Sequence, residues 1–222
     1  SQIFESKPFC DAASVMMRFM AKMANRFGVP FPILNLGGGF GVKYVEDDPV
    51  LDFKSVIRAI AVHIRTLSDT LSVPMPRVFM EPGRSIVADA GMTLYTVGTV
   101  KTITGYKNYV SVDGGMPDNP RYALYGSKYT FYVANRAADE ADFECTVAGR
   151  CCESGDLLGE NVHLPRPVRG DTLAVAVTGA YNYAMASNYN RLPRPALVRL
   201  FDGENEVAVR RETYEDLIRL DQ

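Results

Sequence analysis

A change in residue pattern near position 90 constrains the fold of this chain more than any other feature. Before it, two long stretches rich in helix formers are each followed by a short apolar run: "DAASVMMRFMAKMANRF" by "PILNL", and "DFKSVIRAIAVHIRTLSDTL" by "RVFME". The long stretches are typical of helices, and the short runs are typical of strands. Strand, helix and strand with short connections favour a parallel sheet covered by helices. Residues 1–90 are therefore predicted to form an α/β domain.

After position 90 the helical patterns nearly vanish. β-branched and aromatic runs follow one another, separated by glycine, proline and asparagine. They are "GMTLYTVGTVKTIT", "NYVSVDGG", "KYTFYVAN", "ADFECTVAG", "DTLAVAVTGAY" and "PALVRLFDGENEVAVRR". Residues 91–222 are therefore predicted to form an antiparallel, all-β domain, which a helix at "ETYEDLIRL" closes.

Composition limits the partners and the compartment. The 222 residues carry 24 lysines and arginines against 26 acidic residues, with no basic block, which argues against a nucleic-acid binder. The four cysteines lack the Cys-x-x-Cys spacing of a zinc site, so no metal is expected. No run approaches the ~20 apolar residues of a membrane span, and the first residues lack a leader pattern. A cytoplasmic protein with a small-molecule or protein partner is expected.

Three glycines, Gly37, Gly38 and Gly39, follow the first predicted strand in "LNLGGGFG". Glycine costs roughly 0.5–1 kcal/mol relative to alanine in regular structure, so three in a row need a local reason. One reason is a tight turn without a ligand. The other is a loop whose free N–H groups hold a phosphate. The spacing fits neither G-x-G-x-x-G nor the nucleotide-triphosphate loop.

Two further segments carry candidate chemistry. In "EPGRS", Glu81 and Arg84 flank a turn directly after a strand, at the sheet edge where barrel enzymes place their active sites. A solvated ion pair in a surface turn is the alternative. In "AGRCCESGDLL", a Cys-Glu pair lies beside Ser-Gly-Asp. Either cysteine, Cys151 or Cys152, is alternatively a buried apolar filler.

Together these segments resemble the diaminopimelate decarboxylases, which belong to the alanine-racemase-like (fold type III) pyridoxal phosphate enzymes. The resemblance runs the whole length, through "SQIFE", "LNLGGGFG", "EPGRS", "VDGGMPDNPRYALYG", "CCESGD", "GAYNYAMASNYN" and "RPALV". Ornithine and arginine decarboxylases share the glycine loop and "EPGR", whereas "CESGD" and "NPRYALYG" favour the diaminopimelate branch. The resemblance implies that residues 1–90 are about the last three βα units of a (β/α)8 TIM-type barrel.

The resemblance also implies a missing part. In this family the first barrel strands carry the lysine that forms the Schiff base with pyridoxal 5'-phosphate, and no lysine of this chain lies in that context. The chain is therefore expected to be the C-terminal portion of an enzyme and to be inactive alone.

Cofactor contacts follow from the resemblance, residue by residue. The phosphate is expected on the N–H groups of the glycine loop and on the backbone of the "EPGR" segment, where aligned amides supply partial positive charge. The Glu81 carboxylate is expected against the pyridine nitrogen, where an arginine would instead suggest a racemase. Tyr181 is expected to reach both phosphate and substrate. The implied cofactor contacts are Gly37, Gly38, Gly39, Glu81, Pro82, Gly83, Arg84 and Tyr181.

Substrate contacts are implied in the same way. Arg84, Arg121 and Tyr125 resemble a clamp for the distal carboxylate of the substrate, which suits a planar guanidinium. Glu153 is expected to pair with the distal ammonium, and Tyr181 completes the set. Cys152 resembles the proton donor, with Cys151 as the less favoured neighbour. In this family the Cys-Glu loop comes from the partner subunit, so a homodimer with shared active sites is expected.

The parent protein is accordingly expected to decarboxylate meso-2,6-diaminopimelate to L-lysine. Two alternatives stay open. One is a decarboxylase of a related amino acid, of the carboxynorspermidine or ornithine/arginine type. The other is a non-catalytic fragment.

Overall fold

The computed structural model describes residues 1–222 and divides into two compact units, Ser1–Val87 and Ala88–Gln222. The first unit contains three helices and two short strands. They are α1 (Lys7–Phe27), β1 (Ile33–Asn35), α2 (Phe53–Leu71), β2 (Arg77–Phe79) and α3 (Arg84–Val87). Strands β1 and β2 pair in parallel, with Leu34 opposite Val78. Because parallel strands need a crossover connection, α2 takes that role.

Local sequence explains the two long helices. Helix α1 ends at Gly28, whose φ of 72° is the left-handed conformation that glycine adopts easily. Helix α2 begins where the Asp52 carboxylate accepts a hydrogen bond from the Ser55 amide, 3.1 Å away. Both helices bury one residue in every four, which places these residues on one face. The buried residues are Phe9, Ala13, Met17 and Ala21 in α1, and Val56, Ile60, Ile64 and Ser68 in α2.

The first unit has two parallel strands, where about three βα units were predicted. Its α/β character agrees with the prediction, whereas two strands do not by themselves make a barrel. Large apolar side chains also remain exposed: Phe79 on β2 is 46% accessible and Val62 on α2 is 62% accessible. The partial barrel therefore stays a prediction.

The second unit is built on a sheet and a separate hairpin. Its strands are β3 (Met92–Ile103), β4 (Lys107–Val112), β5 (Phe131–Val133), β6 (Phe143–Ala148), β7 (Leu157–Leu164), β8 (Thr172–Ala176), β9 (Leu197–Phe201) and β10 (Glu204–Val209). Six of them form one sheet in the order β5-β8-β3-β4-β6-β7, and β9 pairs with β10. The sheet core includes Val97, Val133 and Leu173, all nearly inaccessible.

The six-stranded sheet is mixed, which corrects the antiparallel prediction. Strands β4 and β6 run parallel, with Val110 opposite Val147, while the other pairs are antiparallel. Some 30 residues separate these two strands and include helix α4 (Arg121–Tyr125) and β5. Because a parallel pair needs a connection of a dozen or more residues, this long segment permits what a tight turn forbids.

The chain ends in a short helix, α5 (Tyr214–Ile218), where one was predicted. Thr213 caps it reciprocally with Asp216, in the arrangement known as a capping box. None of the helices combines the length and the apolar composition that crossing a lipid bilayer requires.

Candidate active site

The glycine loop of the first unit is shaped by its contact with the "EPGR" segment. The Glu81 amide donates to the Gly37 carbonyl at 2.8 Å. A Cβ atom on Gly38 would lie 2.1 Å from the Glu81 carbonyl oxygen, which is too close for any side chain. Gly37 and Gly39 have φ of 68° and 107°, where other residues are strained. All three glycines are thus required by the backbone of this turn.

The same loop leaves main-chain donors available. The Gly37 amide donates to the Asn35 side-chain oxygen at 2.8 Å, whereas the amides of Gly38 and Gly39 make no hydrogen bond in the structure. Two neighbouring N–H groups without an acceptor, on a turn too tight for side chains, are donors that an anion can use. The loop can therefore hold a phosphate through Gly38 and Gly39.

Asn35 was missed by the sequence analysis, although it lies inside "LNLGGG". Its side-chain nitrogen donates to the Glu81 carboxylate at 2.6 Å, while its oxygen accepts from Gly37. One amide thus orients both the loop and the exposed carboxylate that was predicted to face the cofactor.

Arg84 lies in a different setting from a free substrate clamp. Its side chain is buried, it donates to the Tyr44 hydroxyl, and its guanidinium lies 5.5 Å from the centre of the Tyr44 ring. Part of its hydrogen-bonding capacity is therefore used inside the first unit, and its predicted role in binding substrate stays a prediction.

In the second unit, the structure brings Arg121, Tyr125 and Tyr181 together. The guanidinium carbon of Arg121 lies 5.2 Å from the Tyr125 ring centre and 5.7 Å from the Tyr181 ring centre. Arg121 is only 9% accessible, and its Nε has no hydrogen-bond partner. Aromatic rings stabilise a guanidinium without using its donors, so this cation remains able to bind a carboxylate.

The Cys-Glu loop holds its two candidate residues differently. Cys152 is exposed, and its amide donates to the Asn190 side chain at 2.7 Å. The exposed Glu153 accepts from the Gly155 amide at 3.1 Å and from the Tyr189 hydroxyl at 3.2 Å. These two hydrogen bonds, the backbone one first, lower the pKa of Glu153 and keep it ionised.

Cys151 differs chemically from its neighbour. Burial, followed by the negative charge of Asp156, raises the pKa of the Cys151 thiol to about 12. Such a thiol gives up its proton too reluctantly to serve as a general acid near neutral pH. The structure therefore favours Cys152 over Cys151 for acid chemistry.

Asp156 fixes this loop, and the sequence analysis gave it no role. Its carboxylate is nearly inaccessible and accepts from the amides of Met116 at 2.6 Å and Cys151 at 2.7 Å. A Cβ on Gly149 would lie 2.2 Å from the same carboxylate. One buried carboxylate thus joins the "DGGM" and "GRCCE" segments, and the "CESGD" motif was the signal that pointed to it. No cluster of three or more acidic, histidine or cysteine side chains suits a metal ion.

Fold and site together define a chain with an α/β unit, whose glycine loop offers main-chain donors to an anion, and a mixed-sheet unit with a buried arginine. Comparison with known families gives the particular family. Residues 10–179 match the family described as "Pyridoxal-dependent decarboxylase, C-terminal sheet domain". The match covers more than half of the chain, so the chain belongs to the pyridoxal-dependent decarboxylase family.

Individual relatives extend the match to the whole chain. It is 46% identical over 221 residues to diaminopimelate decarboxylase of Bacillus subtilis (strain 168), covering 100% of this chain and 50% of that protein. With the Synechocystis protein of the same name, identity is 44% over 221 residues, covering 100% and 47%. The crystal structure of diaminopimelate decarboxylase from M. jannaschii with L-lysine superposes with a TM-score of 0.91 at 33% identity, covering 100% and 50%. The chain spans about half the length of the curated relatives it matches.

Proposed function

We propose that the full-length protein containing this chain decarboxylates meso-2,6-diaminopimelate to L-lysine with pyridoxal phosphate. The observation that carries the proposal is the buried guanidinium of Arg121 between two tyrosine rings, with an unused Nε. This cation suits a second carboxylate, which diaminopimelate has and ornithine and arginine lack. The names of the relatives that match the whole chain agree with it.

The glycine loop fits the cofactor implied by the family. Gly38 packs against the Glu81 carbonyl so closely that only hydrogen fits, and the amides of Gly38 and Gly39 are unused. We assign these groups, with the backbone of the 81–84 turn, to the phosphate. When bound, pyridoxal phosphate supplies a conjugated ring that takes up the electron pair left by departing carbon dioxide.

Glu81 would hold a proton at the ring nitrogen of the cofactor. Asn35 donates to this carboxylate at 2.6 Å and so fixes its direction before the cofactor arrives. An ionised carboxylate in that position stabilises the protonated ring, and the protonated ring withdraws electrons most strongly. Glu81→Gln should therefore impair turnover more than cofactor binding.

The second unit would bind the far end of the substrate. Arg121, between Tyr125 and Tyr181, binds the distal carboxylate, and Glu153 binds the distal ammonium. The lowered pKa of Glu153 supports this role, since an ionised carboxylate is what an ammonium group requires. Arg84 is the fifth predicted contact, and its hydrogen bond to Tyr44 would orient it rather than leave it mobile.

Cys152 would return a proton to the substrate α-carbon after carbon dioxide leaves. Its side chain is exposed, whereas the Cys151 thiol is held protonated with a pKa of about 12. We further propose that the active site is shared in a homodimer, with Cys152 and Glu153 supplied to the site of the partner subunit. Their exposure supports this, because both are available to a second chain.

Release of carbon dioxide from a substrate panel tests the function. The full-length protein with pyridoxal phosphate should release it from meso-diaminopimelate, with lysine as the product, and far more slowly from ornithine, arginine and lysine. Ornithine or arginine decarboxylated with a comparable kcat/KM would overturn the proposal in favour of a related decarboxylase. No release from any of the four would favour a non-catalytic chain.

A further inference from the structure

Two asparagines form a buried amide pair in the second unit. Asn119 is fully inaccessible and Asn182 is 2% accessible. The Asn182 side-chain nitrogen donates to the Asn119 side-chain oxygen at 2.6 Å, and the Tyr129 hydroxyl donates to the Asn182 oxygen at 3.3 Å. Burying amides is costly unless they are hydrogen bonded, and the Asn119 side-chain nitrogen has no partner, so the bond from Asn182 to the Asn119 oxygen is what specifies how the two segments meet.

The pair joins the two segments that carry the proposed substrate contacts. Asn119 lies two residues before Arg121, and Asn182 directly follows Tyr181. The Arg121 guanidinium lies 5.7 Å from the Tyr181 ring centre. A backbone hydrogen bond of 2.8 Å, from the Ser187 amide to the Pro117 carbonyl, ties the same segments a second time.

Tyr181 needs such support because of its backbone. Its φ is 64°, a left-handed conformation that residues with a side chain seldom adopt. Conformations of this kind persist where the surrounding structure holds them. The residue that follows Tyr181 is anchored by two hydrogen bonds in the interior, one to Asn119 and one from Tyr129.

We infer that the Asn119–Asn182 pair is a positioning element that holds Tyr181 against Arg121 and thereby sets affinity for the distal carboxylate of the substrate. The inference rests on the proposed function for the role of Arg121. Neither asparagine is expected to touch substrate, since the amide pair is buried. Their effect passes through the distance between the guanidinium and the tyrosine ring.

A double-mutant cycle in the full-length protein with pyridoxal phosphate tests this. Asn119→Ala should raise the KM for diaminopimelate and the inhibition constant of lysine about 10-fold, and leave the inhibition constant of cadaverine, which has no carboxylate, unchanged. In an Arg121→Ala background, Asn119→Ala should add almost nothing. Equal effects in both backgrounds would overturn the inference, because the asparagine would then act elsewhere.

Controls separate positioning from general destabilisation. Val133→Ala removes core volume from the same sheet, and should lower the melting temperature while leaving both constants unchanged. Tyr129→Phe removes only the hydroxyl that donates to Asn182, and should shift the constants in the same direction by a smaller factor. If Asn119→Ala fails to fold, Tyr129→Phe takes its place in the test. Asn119→Ala or Tyr129→Phe that lowers melting temperature with unchanged constants would overturn the inference.

Hydrogen–deuterium exchange gives a readout that needs no substrate. Loss of the pair should speed exchange in peptides covering 117–126 and 178–187, whereas Val133→Ala should not single out these two segments. Should Arg121→Ala leave the KM for diaminopimelate unchanged, the proposed substrate contact fails. Exchange at the two segments still decides whether the pair positions them, and unchanged exchange there would contradict it.

Discussion

The two units carry their candidate groups in contrasting ways. In Ser1–Val87 the groups assigned to the cofactor are mostly main-chain amides, and glycine is needed because the backbone of Glu81 leaves no room for a side chain. In Ala88–Gln222 the candidate groups are side chains, and buried polar residues such as Asp156 hold their segments in place. A site built from main-chain amides can be recognised in the sequence by its glycines. A site built from side chains cannot be recognised as easily, because the residues that hold it in place are ordinary polar residues.

The two sheets also differ in how completely they bury apolar surface, although the β9–β10 hairpin of the second unit leaves Leu200 and Phe201 exposed. The two-stranded sheet of the first unit leaves Ile33 45% and Phe79 46% accessible. The six-stranded sheet of the second unit covers Val147, Leu173 and Val175 almost completely. A two-stranded sheet is only marginally stable alone, and its open edges can pair with further strands, so the barrel stays a prediction.

The largest effect is expected from a side-chain group of the second unit. Cys152→Ala removes the proposed proton donor and should lower kcat about 10²- to 10⁴-fold, while cofactor absorbance stays near the unmodified value. Cys151→Ala is the matched control and should leave kcat close to wild type, because the pKa of that thiol is about 12. Steady-state kinetics on the full-length protein measures both. Loss of activity in Cys151→Ala alone would show that the roles are reversed.

A smaller effect is expected from the main-chain site. Gly38→Ala puts a methyl group onto the Glu81 carbonyl, and such overpacking costs about 1–3 kcal/mol, or roughly 5- to 150-fold in affinity for pyridoxal phosphate. Gly37→Ala meets no neighbouring atom and suffers only from its φ of 68°, which costs roughly 1–2 kcal/mol. Equilibrium titration with the cofactor should rank wild type, Gly37→Ala and Gly38→Ala in that order. Wild-type affinity of Gly38→Ala for pyridoxal phosphate would contradict the assignment of the glycine loop to the cofactor.

The smallest effect concerns stability at low pH. It tests an ion pair in the second unit, Arg194 with Glu212, that has no proposed role in function. Hydrogen bonds from Arg194, side chain first and then backbone, lower the pKa of Glu212 from 4.5 to about 2. The carboxylate therefore stabilises the folded state fully above pH 4.5, and this contribution disappears as the pH falls from about 4.5 to about 2. Since the Arg194 side chain is 43% exposed, solvent screening leaves about 1 kcal/mol of the effect.

Urea unfolding at several pH values measures this contribution. Glu212→Gln should be less stable than wild type at pH 6, and the gap should close towards pH 2.5. Glu206→Gln breaks the exposed pair with Arg199, both side chains of which are more than 60% accessible, and should change little at any pH. A Glu212→Gln deficit that is constant from pH 6 to pH 2.5 would contradict the pKa argument.

Much of the fold was readable from the sequence, and the misses have physical causes. The helices α1 and α2 and five of the six sheet strands fall in predicted segments, because their periodicity is local. Strand β7 was missed because "LLGENVHL" lacks clean alternation and contains Asn161 with a φ of 55°. Helix α4 is five residues long, and a contact distant in sequence holds it: the Tyr122 hydroxyl donates to Glu160 at 2.9 Å.

The residues of the candidate site also fall into two groups, those that the sequence predicted and those that it did not. Short motifs pointed to Gly38 and Arg121, because each motif is contiguous in sequence. The supports are formed by residues distant in sequence: Asn182 reaches across 63 residues to Asn119, and Asp156 reaches 40 residues back to Met116. Such pairings depend on the register of the sheet, which residue composition does not encode locally.

The division of labour between the units is the central claim, and one crossed titration tests it. In the full-length protein, the dissociation constant of pyridoxal phosphate and the KM for diaminopimelate at saturating cofactor are measured for Gly38→Ala and Arg121→Ala. We expect Gly38→Ala to weaken the cofactor and leave KM nearly unchanged, and Arg121→Ala to raise KM about 30-fold or more with unchanged cofactor affinity. Both variants shifting both constants alike, or Arg121→Ala leaving KM unchanged, would contradict the claim.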